Sequence, residues 1–484
     1  MSYQKFTKDI GIIGLTNLAG ILRGLIILPI ITKLLGAENY GIWTQLIVTL
    51  SLITPIATLG LPYTLVRFLA VEKNTKEIQD GIWSVFIIIL SVTLVITLGL
   101  FLFSKPISIF FNCSQVLIQI LAFIIIFECL NLIFFNIFRA FQEIKKYSFF
   151  IILQIFGEVG LVSGAVLLNY GLLGAVLSLL STRIIIFLIM GGLIIKKIGA
   201  KIPKFLRIKE YLSFALPTIP GNISSWSIES SDRYLIGFFL GTLFVGYYAP
   251  AYVIGNSISF FMGPLNFILP AVLSKFYDEN KIKEVKNYLK YSLKYFLMIA
   301  IPSVFGLSIL SKQLLTILST VEIAQQSYYI IPLVAVGMLL FGVYVIIAQI
   351  ISLKKKTKIT ATIWMIAASL NLGLNFIFIP KFGILGAAFT TLLAYFLAFI
   401  LTWYYSFKEF RFEIDRKFIL KSVSASVLMI LFILWFSPIG LLKTIIAIIL
   451  GALLYGILIF LLKGFNKMEI DFFKELIKSS LHKI

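Results

Sequence analysis

The chain has 484 residues, of which 60% are hydrophobic and only 13% are charged, and its mean hydropathy is +1.02. Soluble domains carry roughly 25% charged residues, so this composition excludes a soluble enzyme and predicts a polytopic membrane protein. A net charge of +21 would suit a nucleic-acid partner, but the basic residues are concentrated in alternate connections between apolar runs. We therefore expect no nucleic acid, and contact with membrane lipids instead.

Apolar runs close to the ~20 residues needed to cross a membrane recur along the chain. They predict an all-α polytopic membrane protein with about fourteen spans: 10–32, 41–62, 81–103, 116–137, 148–169, 171–194, 211–240, 246–270, 290–311, 328–351, 358–379, 383–406, 418–437 and 439–462. The seventh span contains Pro217 and Pro220, which remove backbone hydrogen bonds, so we expect a bend there.

The orientation in the membrane follows from the distribution of the 42 Lys and Arg residues. The N-terminus, the connections after even-numbered spans and the C-terminal tail hold 33 of them. The opposite side holds six: Lys33, Lys105, Arg233, Lys312, Lys381 and Lys443. Because basic residues accumulate on the cytoplasmic side, we predict a multi-pass protein of the plasma membrane with both termini in the cytoplasm.

Two motifs repeat between the halves of the chain. Leu35-Gly36 followed by Gly41 after span one recurs as Leu240-Gly241 followed by Gly246 after span seven. The run Gly171–Ala175 likewise recurs as Gly383–Ala387. These repeats predict an N-terminal six-helix bundle (1–197), a pseudo-symmetric C-terminal six-helix bundle (198–410), and two additional helices with a cytoplasmic tail (411–484). Transporters commonly bind their substrate between such halves.

The seventh span is unusually polar at its centre, where it carries Ser225, Glu229, Asp232 and Arg233. Each charge at the centre of a bilayer costs roughly 2.5–3.5 kcal/mol on insertion scales, so this helix must face a water-filled cavity or partner helices. The spacing places these four side chains on one side of the helix, with Glu229 and Arg233 at i, i+4.

Motifs along nearly the whole chain resemble the multidrug/oligosaccharidyl-lipid/polysaccharide flippase superfamily, and in particular its polysaccharide branch of Wzx-like O-antigen and repeat-unit flippases. The resemblance is carried by Arg23 with Leu35–Trp43, by Leu216-Pro217 with Ser231–Tyr234 and Gly241–Tyr248, and by Lys354–Lys358 with Asn371, Asn375, Ile379-Pro380 and Gly383–Ala388. It implies two six-helix bundles around a central cavity that opens alternately to either side. The implied cargo is a polyprenyl-diphosphate-linked oligosaccharide, moved from the cytoplasmic to the outer leaflet during cell-surface polysaccharide biosynthesis.

Arg23 is a guanidinium inside the first span, with no carboxylate within four residues on its own helix. One interpretation is a buried arginine paired with a carboxylate of a neighbouring helix. The other is a cavity cation that contacts the diphosphate, for which the fixed donor fork of arginine is suited.

Structural alternatives also exist for the polar residues of the seventh span. Asp232 and Arg233 could lie near the outer surface and hold two helices in register, and Glu229 and Arg233 could neutralise each other. Ser225 could line a sugar path, since hydroxyls make adaptable hydrogen bonds, or it could permit close helix packing.

Three further charges lie inside spans of the N-terminal half: Glu128, Glu158 and Arg183. They could form an internal ion-pair network. Alternatively, Glu128 and Glu158 could couple transport to Na⁺ or H⁺, and Arg183 could contact the diphosphate.

The chemistry of the chain favours a transporter over an enzyme. It has one histidine and two cysteines without metal-ligand spacing, and no nucleotide-binding loop, so we expect no metal, no cofactor and no bond-changing activity. A cation-coupled multidrug antiporter of the same fold is the main alternative. A membrane glycosyltransferase or polymerase is a second, although the connections are short for such an enzyme.

Overall fold

The computed structural model describes residues 3–69, 72, 74–466 and 469, and every regular element within them is helical. The first half contains α1 (Tyr3–Ala57), α2 (Leu61–Leu69), α3 (Thr75–Leu102), α4 (Ser104–Phe110), α5 (Gln115–Ala140), α6 (Ile144–Leu167) and α7 (Gly171–Ile198). The second contains α8 (Ile208–Ala215), α9 (Ile219–Leu240), α10 (Thr242–Gly255), α11 (Met262–Asp278), α12 (Ile282–Ile309), α13 (Ser311–Leu318), α14 (Val321–Ser327), α15 (Ile330–Leu353) and α16 (Thr357–Glu409). Two further helices, α17 (Arg416–Phe436) and α18 (Gly440–Leu461), follow.

Fourteen spans can be identified in the described residues. Eleven helical segments are long and apolar enough to cross a membrane. Two of these segments, Gly14–Ala57 and Thr357–Glu409, each contain a backbone break and so form two spans apiece. The remaining span is α9, which has the necessary length but lies below the hydropathy of a typical span because of its polar centre. The predicted all-α, multi-pass membrane fold is therefore confirmed.

The repeated glycines have matching backbone conformations in the two halves. Gly36, which breaks α1, has φ 82° and ψ 175°, and Gly241, between α9 and α10, has φ 95° and ψ 165°. Gly171 and Gly383 have φ 63° and 61°. Residues with a Cβ rarely adopt positive φ, so glycine is the favoured residue at these turns. The structural match supports the internal repeat that the sequence predicts.

The seventh and eighth spans are each interrupted by a 3₁₀ segment, and only the first of these interruptions was predicted. The seventh is broken by the 3₁₀ turn Leu216–Thr218, where Pro217 was expected to bend it. The eighth span, predicted over 246–270, is found as one candidate span over Thr242–Asp278, but the 3₁₀ segment Asn256–Phe261 separates α10 from α11 within it. Pro264, in the first turn of α11, lacks the N–H that would bond back into this segment, which accounts for the interruption.

The two halves of the chain meet along α1, which packs against α9 and α10. One cluster of buried apolar residues draws mainly on residues 27–215 and a second mainly on 228–412. A third cluster joins α17 and α18 to α12. The bundle boundaries at 197/198 and 410/411 stay a prediction.

The closest contact between the halves involves the second glycine of each repeated motif. A Cβ added to Gly246 would lie 1.8 Å from the carbonyl oxygen of Ala37, and one added to Gly41 would lie 2.1 Å from that of Thr242. The backbones of α1 and α10 therefore touch where neither has a side chain. This contact lies one turn from the glycine breaks at the side of the membrane that carries few basic residues.

On the opposite side, the connection between the halves is fixed by Asp80 of α3. Its carboxylate accepts hydrogen bonds from the backbone N–H groups of Lys204 and Leu206, and the indole of Trp83 donates to the carbonyl of Gly199 at 2.9 Å. Asp80 is only 5% exposed. These bonds satisfy backbone groups that the irregular connection leaves without helical partners.

Candidate substrate cavity

A cavity lies between the two halves, and α9 supplies its polar side chains. Glu229, Ser230 and Arg233 line it from this helix, together with Ser225 one turn earlier. Asp232 does not, because its side chain is completely buried. The four residues lie in the unbroken helix α9 as their spacing predicts, but the expectation that Asp232 binds the substrate has no support, because this side chain does not reach the cavity.

The part of the cavity richest in charge, here called the charged sector, has a volume of about 530 Å³. Its ionisable lining residues other than tyrosine are Arg23, Glu128, Glu158, Arg183 and Arg233. They come from both halves of the chain: Arg23 from α1, Glu128 from α5, Glu158 from α6, Arg183 from α7 and Arg233 from α9. The structure thus brings together residues that are more than 200 positions apart in sequence.

Four of these residues form a linear ion-pair network. Arg23 Nη1 lies 2.7 Å from Glu158 Oε2, and Arg183 donates to Glu158 Oε1 through Nη1 and to Glu128 Oε2 through Nε at 3.0 Å. Gln154 adds a hydrogen bond to Glu158 at 2.9 Å. This arrangement is the ion-pair network that was one of the two sequence-based interpretations.

Arg23 differs from the rest of the network in its exposure. Its side chain is 37% exposed, whereas those of Arg183 and Glu158 are 4% and 2% exposed. Arg183 is thus the buried centre of the network, while Arg23 has donors that face the cavity. Glu128, at 22%, is intermediate.

Arg233 is held by neighbours in the C-terminal half. Its guanidinium pairs with Asp232 at 2.8 Å, lies 3.9 Å from the ring centroid of Tyr252, and donates to the backbone oxygen of Glu229. Asp232 also accepts from the hydroxyl of Tyr248 at 2.5 Å, which ties α9 to α10. Among the described residues Arg233 therefore pairs directly with Asp232 and not with the Glu229 carboxylate, which was one of the alternatives. Arg233 lies inside the α9 span and not on the outer side, where the sequence count placed it.

A second part of the cavity, the hydroxyl sector, has a volume of about 350 Å³ and adjoins the charged sector at Ser51, Thr54 and Ser230. Its lining comprises Ser51, Thr54, Pro55, Thr58, Gly60, Pro62, Tyr63, Leu132, Asn136, Asn222, Ser225, Trp226, Glu229 and Ser230. Hydroxyl and amide groups dominate this set, and none of these described lining residues is Lys or Arg.

A third part, the connecting sector, links the cavity to an apolar groove. The connecting sector has a volume of about 500 Å³ and contains Glu229, Arg233, Tyr252 and Tyr395. It shares Ser257 and Phe260 with the apolar groove, a channel of about 600 Å³ between α12, α17 and α18. The groove lining includes Met298, Leu307, Met429, Ile433, Ile448 and Ile459. The polar and apolar spaces are therefore adjacent.

Comparison with known proteins identifies the family. A family model described as "Polysaccharide biosynthesis protein" matches residues 6–272, more than half of the chain. The chain belongs to this family. A second model, "Lipid II flippase MurJ", matches residues 247–461 of this family member. The resemblance predicted from the motifs is confirmed.

Two curated proteins are similar in sequence to parts of this chain. It is 26% identical over 248 residues to a probable low-salt glycan biosynthesis flippase of Haloferax volcanii, a match that covers 49% of this chain and 52% of that protein. It is 28% identical over 235 residues to an uncharacterized membrane protein of Methanocaldococcus jannaschii, covering 46% and 45%. The chain thus spans about half the length of the curated relatives it matches.

Solved structures show the same fold over a larger part of the chain. The inward closed conformation of lipid II flippase MurJ aligns with a TM-score of 0.74 and 20% identity, covering 97% of this chain and all of that one. An inward-facing multidrug resistance MATE family transporter of the MOP superfamily aligns with a TM-score of 0.69 and 14% identity, covering 81% and 94%. At these identities the likeness establishes the fold alone.

Several cavity residues were not identified from the sequence of this family member. Trp226 lines the hydroxyl sector and donates from its indole N–H to Ser51 at 3.1 Å, while Gln154 bonds Glu158. The ring of Tyr252 packs against the guanidinium group of Arg233. Aromatic and amide side chains are common in spans, so their types gave no signal. Their proximity to charged residues of other helices becomes evident only in the folded chain.

Proposed function

We propose that the protein is a flippase that moves a polyprenyl-diphosphate-linked oligosaccharide from the cytoplasmic to the outer leaflet of the plasma membrane. It acts by alternating access during cell-surface polysaccharide biosynthesis, with both termini in the cytoplasm. In this proposal the protein transports its lipid without changing covalent bonds.

The observation that carries the proposal is the partly exposed guanidinium of Arg23 in a cavity within the membrane. A cation at this depth is costly unless it is paired or binds a ligand, and an arginine fork matches phosphate oxygens in a bidentate manner. Glu158, which holds Arg23 here, is also held by Arg183. A diphosphate can therefore take over Arg23 while Glu158 keeps a cationic partner.

The position of the apolar groove beside the cavity supports an amphiphilic cargo. The apolar groove meets the connecting sector at Ser257 and Phe260, the connecting sector meets the charged sector at Arg233, and the charged sector meets the hydroxyl sector at Ser51 and Thr54. This order corresponds to a hydrocarbon tail, a diphosphate and a sugar. The names of the Haloferax relative and of the MurJ structure agree with this class of cargo.

Coupling to Na⁺ or H⁺ at Glu128 or Glu158 forms part of the proposal. Both carboxylates are bound to Arg183, so a coupling cation must compete with a guanidinium. Glu128 has a single ion-pair contact and the more exposed side chain of the two, which favours it as the site of exchange.

A cation-coupled multidrug antiporter is the second candidate, because the MATE family transporter shares the fold. The three arginines of the charged sector favour an anionic ligand over a cationic drug, and the apolar groove favours a lipid. Transport of cationic dyes without transport of the diphosphate lipid would favour the antiporter.

The direct test is the flipping of a fluorescent polyprenyl-diphosphate sugar in reconstituted vesicles. Arg23→Ala is expected to lower the rate about tenfold or more, because bonds to a charged ligand are worth about 1.5–3 kcal/mol. Arg23→Lys keeps the charge, loses the fork and is expected to retain part of the activity.

Two controls make this test specific for the diphosphate. The matched variant Arg411→Ala changes an exposed arginine outside the cavity and is expected to behave like the unmodified protein. The double variant Arg23→Ala/Glu158→Gln should not recover activity if the lost contact was with the ligand. Should Arg23→Ala flip the diphosphate lipid and its monophosphate analogue at the unmodified rates, the site lies elsewhere.

A further inference from the structure

The hydroxyl sector differs chemically from the charged sector beside it. Its described lining carries no lysine or arginine, whereas the charged sector has three arginines. Any part of the cargo that occupies the hydroxyl sector must therefore be recognised without a cation. This distinction bears on which sugars the cavity accepts, and it rests on the proposed function.

Three hydroxyl groups of the hydroxyl sector can act only as hydrogen-bond acceptors. Ser51, Thr54 and Thr58 donate their hydroxyl protons to carbonyls of their own helix, at 2.7–2.8 Å. Their oxygens are left with lone pairs only. A sugar hydroxyl can donate to such oxygens, but a carboxylate is an acceptor only and cannot.

The donors of the hydroxyl sector are uncharged. They include the side chains of Tyr63, Asn222, Ser225 and Ser230, which line it and make no hydrogen bond within the described part of the chain. Asn136 is already engaged, since its amide nitrogen donates to the Leu132 carbonyl at 2.8 Å and its oxygen accepts from Arg139 at 3.0 Å. The Arg139 guanidinium, which borders the sector, is held by this bond and does not line it.

Glu229 adds a negative charge at the edge of the hydroxyl sector. Its carboxylate faces both this sector and the connecting sector, and it forms no ion pair or side-chain hydrogen bond within the described residues. The neighbouring Arg233 donates instead to the Glu229 backbone oxygen and to the Asp232 carboxylate. An anionic sugar would meet this carboxylate here.

Trp226 supplies an apolar ring surface to the hydroxyl sector. Its indole N–H is bound to Ser51 at 3.1 Å across the two halves of the chain, which fixes the position of the ring in the cavity wall. The C–H faces of an uncharged pyranose can pack against such a ring, whose face carries partial negative charge. The negative face disfavours a carboxylate for the same reason.

We propose that the hydroxyl sector binds the sugar portion of the cargo and selects uncharged sugars over uronic acids. The diphosphate then lies in the charged sector, and the sugar hydroxyls donate to the acceptor oxygens of Ser51, Thr54 and Thr58. Glu229 is the residue that most strongly excludes an acidic sugar.

The test compares two cargo lipids that differ at a single carbon of the sugar. Polyprenyl-diphosphate glucose and polyprenyl-diphosphate glucuronic acid share the tail, the diphosphate and the ring, and differ in a C6 hydroxymethyl or carboxylate. Their flipping rates are measured in the same vesicles with the unmodified protein. A carboxylate without a partner is expected to lower the rate about tenfold or more.

Two variants locate the selectivity in the hydroxyl sector. Glu229→Gln removes the negative charge and Ser225→Lys introduces a cation, so both are expected to raise the ratio of the glucuronic acid rate to the glucose rate. Glu38→Gln makes the same chemical change as the first variant at an exposed carboxylate, which is bound to Asn112 outside the cavity. It should leave the ratio unchanged.

The outcomes separate this inference from the function on which it rests. Equal rates for the two lipids in the unmodified protein would overturn the inference and leave the flippase intact. A ratio that stays constant in both Glu229→Gln and Ser225→Lys would also overturn it. If neither lipid is flipped, the proposed function fails, and the inference fails with it.

Discussion

Two guanidinium groups share Glu158, and their contributions to stability should differ. Loss of Arg23 leaves Glu158 bound to Arg183. Loss of Arg183 removes the ion-pair partner that Glu128 has among the described residues, and one of the two that Glu158 has there. Breaking a buried ion pair by removing one member typically costs about 3–5 kcal/mol. We therefore predict a much larger fall in the thermal unfolding temperature for Arg183→Ala than for Arg23→Ala in detergent, with Arg411→Ala as the reference. Equal shifts in the unfolding temperature of the two variants would mean that Arg183 and Arg23 contribute equally to stability, contrary to this prediction.

The two carboxylates of the network should respond differently to neutralisation. Glu158→Gln removes the ion-pair partner that Arg23 has in the described part of the chain and is expected to lower stability. Glu128→Gln leaves Arg183 paired with Glu158, so the protein should fold. If Glu128 exchanges its guanidinium for a coupling cation, flipping by Glu128→Gln in vesicles should no longer respond to an imposed Na⁺ or H⁺ gradient. A normal gradient response in this variant would place coupling at another site.

At the residue scale, the sequence could show which charges lie inside spans but not what they contact. Arg23 has no carboxylate within one turn of its helix, and its partner Glu158 lies 135 positions away. Helical spacing suggested a pair between Glu229 and Arg233. Arg233 instead binds Asp232, with its guanidinium 3.9 Å from the ring centroid of Tyr252. The direction of the Arg233 side chain depends on contacts with the neighbouring helix α10. The spacing of residues along α9 alone does not predict those contacts.

At the scale of helices, we expect the glycine contact between α1 and α10 to close one side of the cavity. Gly246→Ala would place a Cβ 1.8 Å from the Ala37 carbonyl oxygen, so the two helices must move apart. Overpacking of this kind typically costs about 1–3 kcal/mol, which weakens the closed contact relative to the open one. In a variant without native cysteines, we predict that a cysteine at Thr44 becomes more reactive towards an impermeant thiol reagent added from the outer side.

The matched control for the glycine contact is Gly192→Ala on α7, because a Cβ there would meet nothing within 4 Å. Labelling at position 44 should not change in that variant. Gly41→Ala tests the same contact from the other helix, since its Cβ would lie 2.1 Å from the Thr242 carbonyl oxygen. If both glycine variants fold and neither increases labelling, this contact does not seal the cavity.

The positions of some helices could be predicted from the sequence, and those of others could not. Spans that face lipid or an apolar core were located from hydrophobicity, since burial in hydrocarbon depends on composition over about 20 residues. The 3₁₀ segment Asn256–Phe261 was missed because the apolar run continues across it. α4, α13 and α14 were also missed, as helices of only seven or eight residues have little compositional signal.

At the scale of the whole molecule, the glycine contact and the connection held by Asp80 lie on opposite sides of the membrane. The glycine contact follows the first spans of the two halves, on the side with few basic residues, while the connection at 199–207 carries Lys201, Lys204 and Arg207. In the proposed function, alternating access requires the contact between α1 and α10 to open for release to the outer leaflet. The direction of transport therefore depends on which side is cytoplasmic.

The distribution of basic residues predicts that side, and cysteine accessibility tests it. With Cys113 and Cys129 replaced by Ser, single cysteines at Ala200 and Lys283 occupy exposed positions on the basic side, and one at Ser114 is exposed on the other. Because positively charged connections are retained in the cytoplasm, the cysteines at 200 and 283 should be protected from an impermeant thiol reagent in intact cells and react after permeabilisation. The cysteine at 114 should react in both conditions. Labelling at 200 and 283 in sealed cells, with protection at 114, would reverse the orientation, place the glycine contact on the cytoplasmic side and reverse the proposed direction of flipping.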